Sequence, residues 1–242
     1  DRETGDCTVQ PHFDYPHAYL ADLPSKLTAT GVGRGYRADE AAEETPPPRK
    51  EVQLRAPLFE QGEKKLTPAE IGTAHHLFMQ FCDFDAACAP NGVENELNRL
   101  AEKKILSTEQ AHAVDKRKIE RFFASDLYKT FMAENKVRRE FKFSVLVPAQ
   151  AYFPVAADAP EENVLLQGVI DCLIETRDGF VILDFKTDRI KKGGAVKRAE
   201  QYRPQLAAYA RAVHEIYGRP VRACVLYFFH TGDTEWVSLD ED

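Results

Sequence analysis

The sequence predicts an α/β domain, and three observations predict it. From Leu165 to Asp188 the chain reads LLQGVIDCLIETRDGFVILDFKTD. Asp178-Gly179 there separates two apolar runs rich in β-branched residues, a strong hairpin signal. A helical pattern from about 196 to 217 ends at Gly218, with Pro220 just beyond, and leads into a buried strand, VRACVLYFF, over 221–229. Upstream, capped amphipathic segments occupy most of 66–134.

Residues 1–65 have the composition of a linker: GVGRG at 31–35, ADEAAEE at 38–44, then Pro46-Pro47-Pro48. They are expected to form an extended N-terminal arm ahead of a compact domain over 66–242. Thr67 is a candidate N-cap, with Pro68 at the first helical position and Glu70 at the capping-box position, for a helix through IGTAHHLFMQFCDF. Asn91-Gly92 marks a turn. Residues 93–105 and 108–124 read as amphipathic helices, the second capped by Ser107 or Thr108, and 126–134 as a short helix. Arg139 to Val147, REFKFSVLV, alternates as a half-buried strand does. A loop with Pro154 and Pro160 precedes the hairpin, and Gly193-Gly194 breaks the chain before the long helix.

The length suits one large domain, or a domain with an extended arm. No apolar run approaches the roughly 18 residues that span a bilayer. No signal-peptide pattern opens the chain, so no membrane partner is expected. The chain begins at Asp1 on polar, proline-punctuated sequence, which suggests a fragment of something longer. The five cysteines are odd in number, widely spread and without a C-x-x-C. They suit a reducing, cytoplasmic setting, and Cys172 and Cys224 fall in apolar runs as inert core residues.

A formal net charge of −7 weighs mildly against a phosphate-binding surface. The basic residues are clustered, however. Arg189, Lys191, Lys192, Lys197, Arg198 and Arg203 follow the hairpin directly; Lys116, Arg117, Lys118 and Arg121 form a second cluster, and Lys136, Arg138 and Arg139 a third. Charge runs are usually solvated faces. The first cluster stands out because it adjoins Asp171, Asp184 and Lys186.

Those three carry the chemistry. With a two-residue turn pairing Arg177 with Phe180, Lys186 sits across from Asp171 and Asp184 lies on the diagonal, all on one face. An ordinary cross-strand ion pair with a solvated Asp184 is the alternative reading. Two carboxylates beside an ammonium on an otherwise apolar sheet suit a hard divalent cation better, since a buried ion pair adds little stability by itself. His75 and His76 lie on the first helix, and imidazole joins carboxylates more readily around Mn²⁺ than around Mg²⁺. Gln205 and Tyr209, four apart, share a helix face. Tyr209 also fits an apolar stripe, with its hydroxyl available for a second task.

The order GTAHH, QGVID, LDFKTD and QLAAY resembles the RecB-like branch of the PD-(D/E)xK nuclease superfamily, and most closely the C-terminal nuclease domain of AddA-type helicase–nuclease subunits. The likeness covers roughly Leu66 to the end, and LPSKLTAT at 23–30 resembles the linker that leads into that domain. It implies a restriction-endonuclease-like core, with a central mixed sheet flanked by helices. It implies metal ligation by His76, Asp171, Asp184 and the Phe185 carbonyl, with His76 favoured over His75 by its spacing after Gly-Thr. Lys186 becomes the catalytic lysine, and Gln205 and Tyr209 order the site and help to bind DNA. Arg189, Lys191, Lys192, Lys197, Arg198 and Arg203 become a DNA track. The implied cofactor is Mg²⁺, with Mn²⁺ as a substitute, and no iron–sulfur cluster. The implied reaction is exonucleolytic cleavage of single-stranded DNA in double-strand-break processing and recombinational repair. The implied partners are DNA, a helicase portion of the same polypeptide and an AddB-type subunit. No G-x-x-x-x-G-K-[ST] occurs, so the motor itself is not written here. A catalytically silent nucleic-acid-binding or docking module, and a free-standing nuclease of the same branch, are the alternatives.

Overall fold

The computed structural model describes residues 20–21, 23–32, 66–159 and 161–239. The acidic and proline-rich stretch read as linker, and Cys7, lie outside these residues. A six-stranded mixed sheet forms the centre. β2 (Lys136–Pro148) runs antiparallel to β3 (Asn163–Thr176) along nearly its whole length. The other edge of β3 is shared. Its C-terminal half pairs antiparallel with β4 (Gly179–Lys186), and its N-terminal half pairs parallel with β1 (Lys26–Thr28) through Leu165, Leu166 and Gln167. β4 continues in parallel to β5 (Val221–Phe228), which turns back into β6 (Asp233–Val237). The sequence reading has no strand at β1, which falls within the stretch assigned to the arm, and none at β6. β1 is short and is specified by β3, distant in sequence; β6 carries a polar pattern and pairs with β5 just before it.

Helices cover both faces. On one side lie α1 (Pro68–Phe81), α2 (Phe84–Ala87), α3 (Gly92–Glu102), α4 (Thr108–Ala113), α5 (Lys116–Phe123) and a π-helical turn, Leu127–Met132. On the other lie α6 (Ala195–Glu200) and α7 (Arg203–Tyr217). The Thr67 capping box forms as expected: the hydroxyl accepts the Glu70 N–H, and the Glu70 carboxylate accepts the Thr67 N–H. Ser107 makes the same motif with Gln110. The single helix expected over 108–124 is two, because the Asp115 N–H is donated to His75 Nε2 rather than into a helix. The helix expected over 196–217 also divides, at Gln201-Tyr202, just before Pro204.

Each face has its own core. Phe78, Leu97, Leu100, Phe122, Leu183 and Tyr227 belong to the α1–α5 side; Leu166, Leu206, Tyr209, Val213, Ile182 and Leu226 belong to the α7 side. Phe122 meets Phe185 and Tyr227 edge-on, with centroids 5.2 and 4.9 Å apart. Such pairs add about 0.5–1.5 kcal/mol each beyond burial, and here they tie the end of β4 to α5. Cys172 and Cys224 are buried, and burial pushes the Cys224 thiol up to about 12. Among the described residues, no helix is long and apolar enough to cross a membrane.

The hairpin register differs from the expected one. Thr176 pairs with Gly179, so the turn is Arg177-Asp178 rather than Asp178-Gly179. Gly179 has φ +149, and a Cβ there would stand 2.3 Å from the Pro220 carbonyl oxygen. The glycine is thus fixed by the approach of another loop as well as by the hairpin. Continuing this register brings Asp184, not Lys186, opposite Asp171. A shift of two keeps the side-chain face, so the grouping survives.

Candidate active site

The β3–β4 ladder stops at the pair Cys172–Leu183. Beyond it the Phe185 N–H, 2.7 Å from Asp171 Oδ2, is donated to that carboxylate instead of to a β3 carbonyl. A side chain thus takes the place of a ladder bond where the two strands part. At the same level β2 carries Glu140, a non-glycine residue at φ +49. Side-chain alternation slips there on both strands. Ile170 and Leu173 pack in the α7-side core although Cys172 packs in the other; Val137 and Phe141 likewise face opposite sides. A left-handed non-glycine residue costs of order 1 kcal/mol or more and is concentrated at functional sites.

This opening is the floor of a cleft of about 650 Å³. Asp171, Asp184, Lys186, His76, Gln205 and Tyr209, all expected from the sequence, line it together. So does Glu140, which the sequence reading misses. Strand alternation gives it the solvent face, and only its backbone angle turns it inward. Burial, and then repulsion from Asp171, raise the Glu140 pKa.

The two histidines separate cleanly. His75 is buried, with Nδ1 2.8 Å from the Ile71 carbonyl and Nε2 accepting the Asp115 N–H. Both ring nitrogens serve the backbone, and burial lowers its pKa, so it is a neutral structural residue. His76 points its Nδ1 at Asp171 Oδ1, 3.3 Å away. Burial alone would lower its pKa, but a third of the side chain (33%) is exposed, and the Asp171 carboxylate pulls the value up.

Asp184 is 3% exposed. Burial raises its pKa against the pull of Lys186, and Asp171 adds to the rise. Lys186 Nζ makes a close ion pair with Asp184 Oδ2, and that oxygen has no other partner. The ammonium also lies 3.9 Å over the Tyr202 ring and 3.4 Å from Gln205 Oε1. Gln205 Nε2 donates to the Tyr209 hydroxyl at 2.7 Å. The Gln-x-x-x-Tyr pair therefore meets the lysine from below. Tyr202 is itself anchored: its hydroxyl donates to Asp188 at 2.6 Å, and Arg198 pairs with the other Asp188 oxygen at 2.6 Å. Burial opposes ionisation of Asp188, but these two donors hold its pKa low.

Arg198 is thereby turned to Asp188. Arg189 lines the cleft and is exposed; Lys191, Lys192, Lys197 and Arg203 are exposed on the segment that follows, with Arg203 bonded to Glu200. In the third basic cluster, Arg138 holds Tyr217 and Glu175, and Arg139 donates to the Met79 and Cys82 carbonyls, tying α1 to β2. Of the second cluster, Lys118 lines the cleft.

Among the described residues, no three His, Cys, Asp or Glu side chains are gathered as a ready-made metal cage. The donors nevertheless fit a hard divalent cation in kind. Two carboxylates and an imidazole face one cleft, and the buried Asp184 Oδ2 there is met by the Lys186 ammonium alone.

Residues 49–238 match the PD-(D/E)XK nuclease superfamily. The chain is 40% identical over 223 residues to an ATP-dependent helicase/nuclease subunit of Moorella thermoacetica, covering 91% of this chain and 16% of that protein. It is 36% identical over 226 residues to the protein of the same name from Desulforudis audaxviator, covering 92% and 18%. The chain thus spans less than a fifth of the length of these relatives. A solved structure, SSO0001, aligns at 14% identity and TM-score 0.32 over 61% of this chain and 59% of that one, a likeness that carries no argument.

Proposed function

This chain belongs to the PD-(D/E)XK nuclease superfamily, and from that premise we propose that it is a divalent-metal-dependent DNA exonuclease domain. Its substrate in this reading is single-stranded DNA produced by a helicase, in double-strand-break processing and recombinational repair, within the cytoplasm. Its proposed partners are the helicase portion of a longer polypeptide and a second subunit of AddB type, on the strength of the relatives' names.

The observation that carries the reading is the convergence of Asp171, Asp184 and Lys186 where β3 and β4 part, in a cleft open to solvent. His76, Asp171, Asp184 and the Phe185 carbonyl would hold Mg²⁺ or Mn²⁺, which supplies Lewis acidity at the scissile phosphate. Asp171 spends one oxygen on the Phe185 N–H and so fixes the peptide whose carbonyl is a proposed ligand. Lys186, held between Asp184, Gln205 and the Tyr202 face, presents a positive charge to the phosphoryl oxygens and orients the attacking water. Glu140 adds a third carboxylate beside Asp171, suited to accept a proton from that water or to bind its shell. Arg189, Lys191, Lys192, Lys197 and Arg203 would hold the strand backbone without reading sequence.

Incubation with end-labelled single-stranded DNA and Mg²⁺ or Mn²⁺, against an EDTA control, tests the proposal. Metal-dependent shortening from an end is expected; intact DNA at every metal concentration refutes it.

A further inference from the structure

A second hollow, of about 670 Å³, lies beyond the cleft, between the π-helical turn and β6. Two of its lining residues are aromatic. Trp236, on the edge strand β6, is 54% exposed, and Phe131, on the π turn, meets it edge-on at 5.7 Å. π-helical turns are rare and concentrate at functional sites. The hollow and the cleft share a border. Arg121 lines the hollow, and its guanidinium donates to the carbonyls of Phe229 and His230, two residues that line the cleft. The seat is specific: Gly232 has φ +81, and a Cβ there would stand 2.5 Å from Arg121 Nε. Lys118, three residues earlier on α5 and so on the same helix face, lines the cleft. A track of positive charge thus runs from the cleft past Arg121 to an exposed indole. Asp126 is the carboxylate among the residues lining the hollow, which leaves the hollow near neutral and suits a base better than a second phosphate.

We propose that Trp236, backed by Phe131, is a stacking platform for a nucleobase of single-stranded DNA, with Lys118, and the part of the Arg121 guanidinium that its carbonyl partners leave exposed, carrying the intervening phosphates to the cleft. The proposal rests on the nuclease reading of that cleft. Every base has a π face, so the platform is sequence-tolerant and adds about 1–3 kcal/mol per stacked base.

The chain holds a single tryptophan, so its intrinsic fluorescence reports on this residue alone. Titrating the 242-residue chain with oligo(dT) in EDTA should quench that emission saturably. Trp236→Leu should weaken binding of a labelled oligonucleotide, read by anisotropy, by about 5- to 150-fold, the ratio that the stacking energy implies. Trp236→Phe should restore part of the loss. Absence of quenching, or wild-type affinity in Trp236→Leu, overturns the proposal. A blue shift of the emission on adding a helicase fragment or a partner protein, with no response to oligo(dT), assigns this face to a protein and overturns it as well. Metal-dependent cleavage assayed on the same sample separates the two failures: cleavage without quenching removes only the platform, whereas no cleavage removes the nuclease reading.

Discussion

At the scale of single residues, Lys186 is held from three sides. Asp184 neutralises it, the Tyr202 ring lies beneath it and Gln205 accepts from it. Asp184→Asn keeps the shape of the pair while removing one negative charge. It should abolish measurable cleavage and weaken Mn²⁺ binding, with a near-native melting temperature. Asp184→Ala is the poorer test, because it also removes the oxygen that faces the ammonium and opens a gap there. Lys186→Ala should lose at least about 100-fold in kcat, the scale of a lost electrostatic contact in a transition state, yet still bind Mn²⁺ in a calorimetric titration. Loss of binding along with activity would return Lys186 to a structural role. Tyr202 offers a finer probe, since a cation–π contact is worth about 0.5–2 kcal/mol. Tyr202→Leu should lower kcat by about 2- to 30-fold at saturating DNA, and Tyr202→Phe much less, because it keeps the ring. Equal losses in the two variants would trace the effect to the Asp188 hydrogen bond instead.

At the scale of elements, what is legible in the sequence is local and what is not is relational. The Thr67 capping box, the strand-forming runs and the Gly218 stop are written in neighbouring residues, and they form. The hairpin register lies two residues from the expected one because Gly179 answers to Pro220, a residue far along the chain. Glu140 escapes a sequence reading because its inward turn depends on a backbone angle opposite Asp171. Spacing after Gly72-Thr73 favours His76 over His75, but that His75 serves the backbone is visible only once Asp115, at the start of α5, engages it. β1 is hidden in linker-like composition, yet Leu27 and Ala29 are buried against β3. If β1 belongs to the cooperative unit, Leu27→Asp should destabilise the chain by about 3 kcal/mol, seen as a lower denaturation midpoint. An unchanged midpoint would confine the folding unit to later residues. The α2–α3 corner carries a pH signature. Hydrogen bonds from Arg99, and then the Asp83 N–H, lower the Glu96 pKa against the effect of burial. A depressed carboxylate contributes stability above its unfolded pKa, near 4.5, and loses it as pH falls through the folded value. The melting-temperature gap between wild type and Glu96→Gln should therefore be widest above about pH 5 and close below it. A gap constant down to about pH 3 would mean that the Arg99–Glu96 pair adds nothing through charge.

At the scale of the whole molecule, a chain of net charge −7 has to hold a polyanion by local arrangement. The structure narrows which cations can do so. Arg138 and Arg139 are occupied in bracing the fold, and Arg198 is occupied with Asp188. Lys191, Lys192 and Lys197 are exposed on the segment that follows Lys186 and leads into α6. If the strand backbone runs over them, each lost phosphate contact should reduce the slope of log affinity against log salt by roughly 0.7. Replacing all three with Gln should then flatten the slope by about 2, raise KM and leave turnover at saturating DNA much less affected. The loss should be equal for all sequences, since phosphate contacts position a strand without reading it. Adding Arg198→Gln should lower kcat as well, because that change releases the Asp188–Tyr202 anchor beneath Lys186 instead of removing a surface contact. An unchanged slope in the triple variant would put the strand on the opposite side, along Lys118 and Arg121, making the α5 face the principal track and the hairpin lysines its solvated flank.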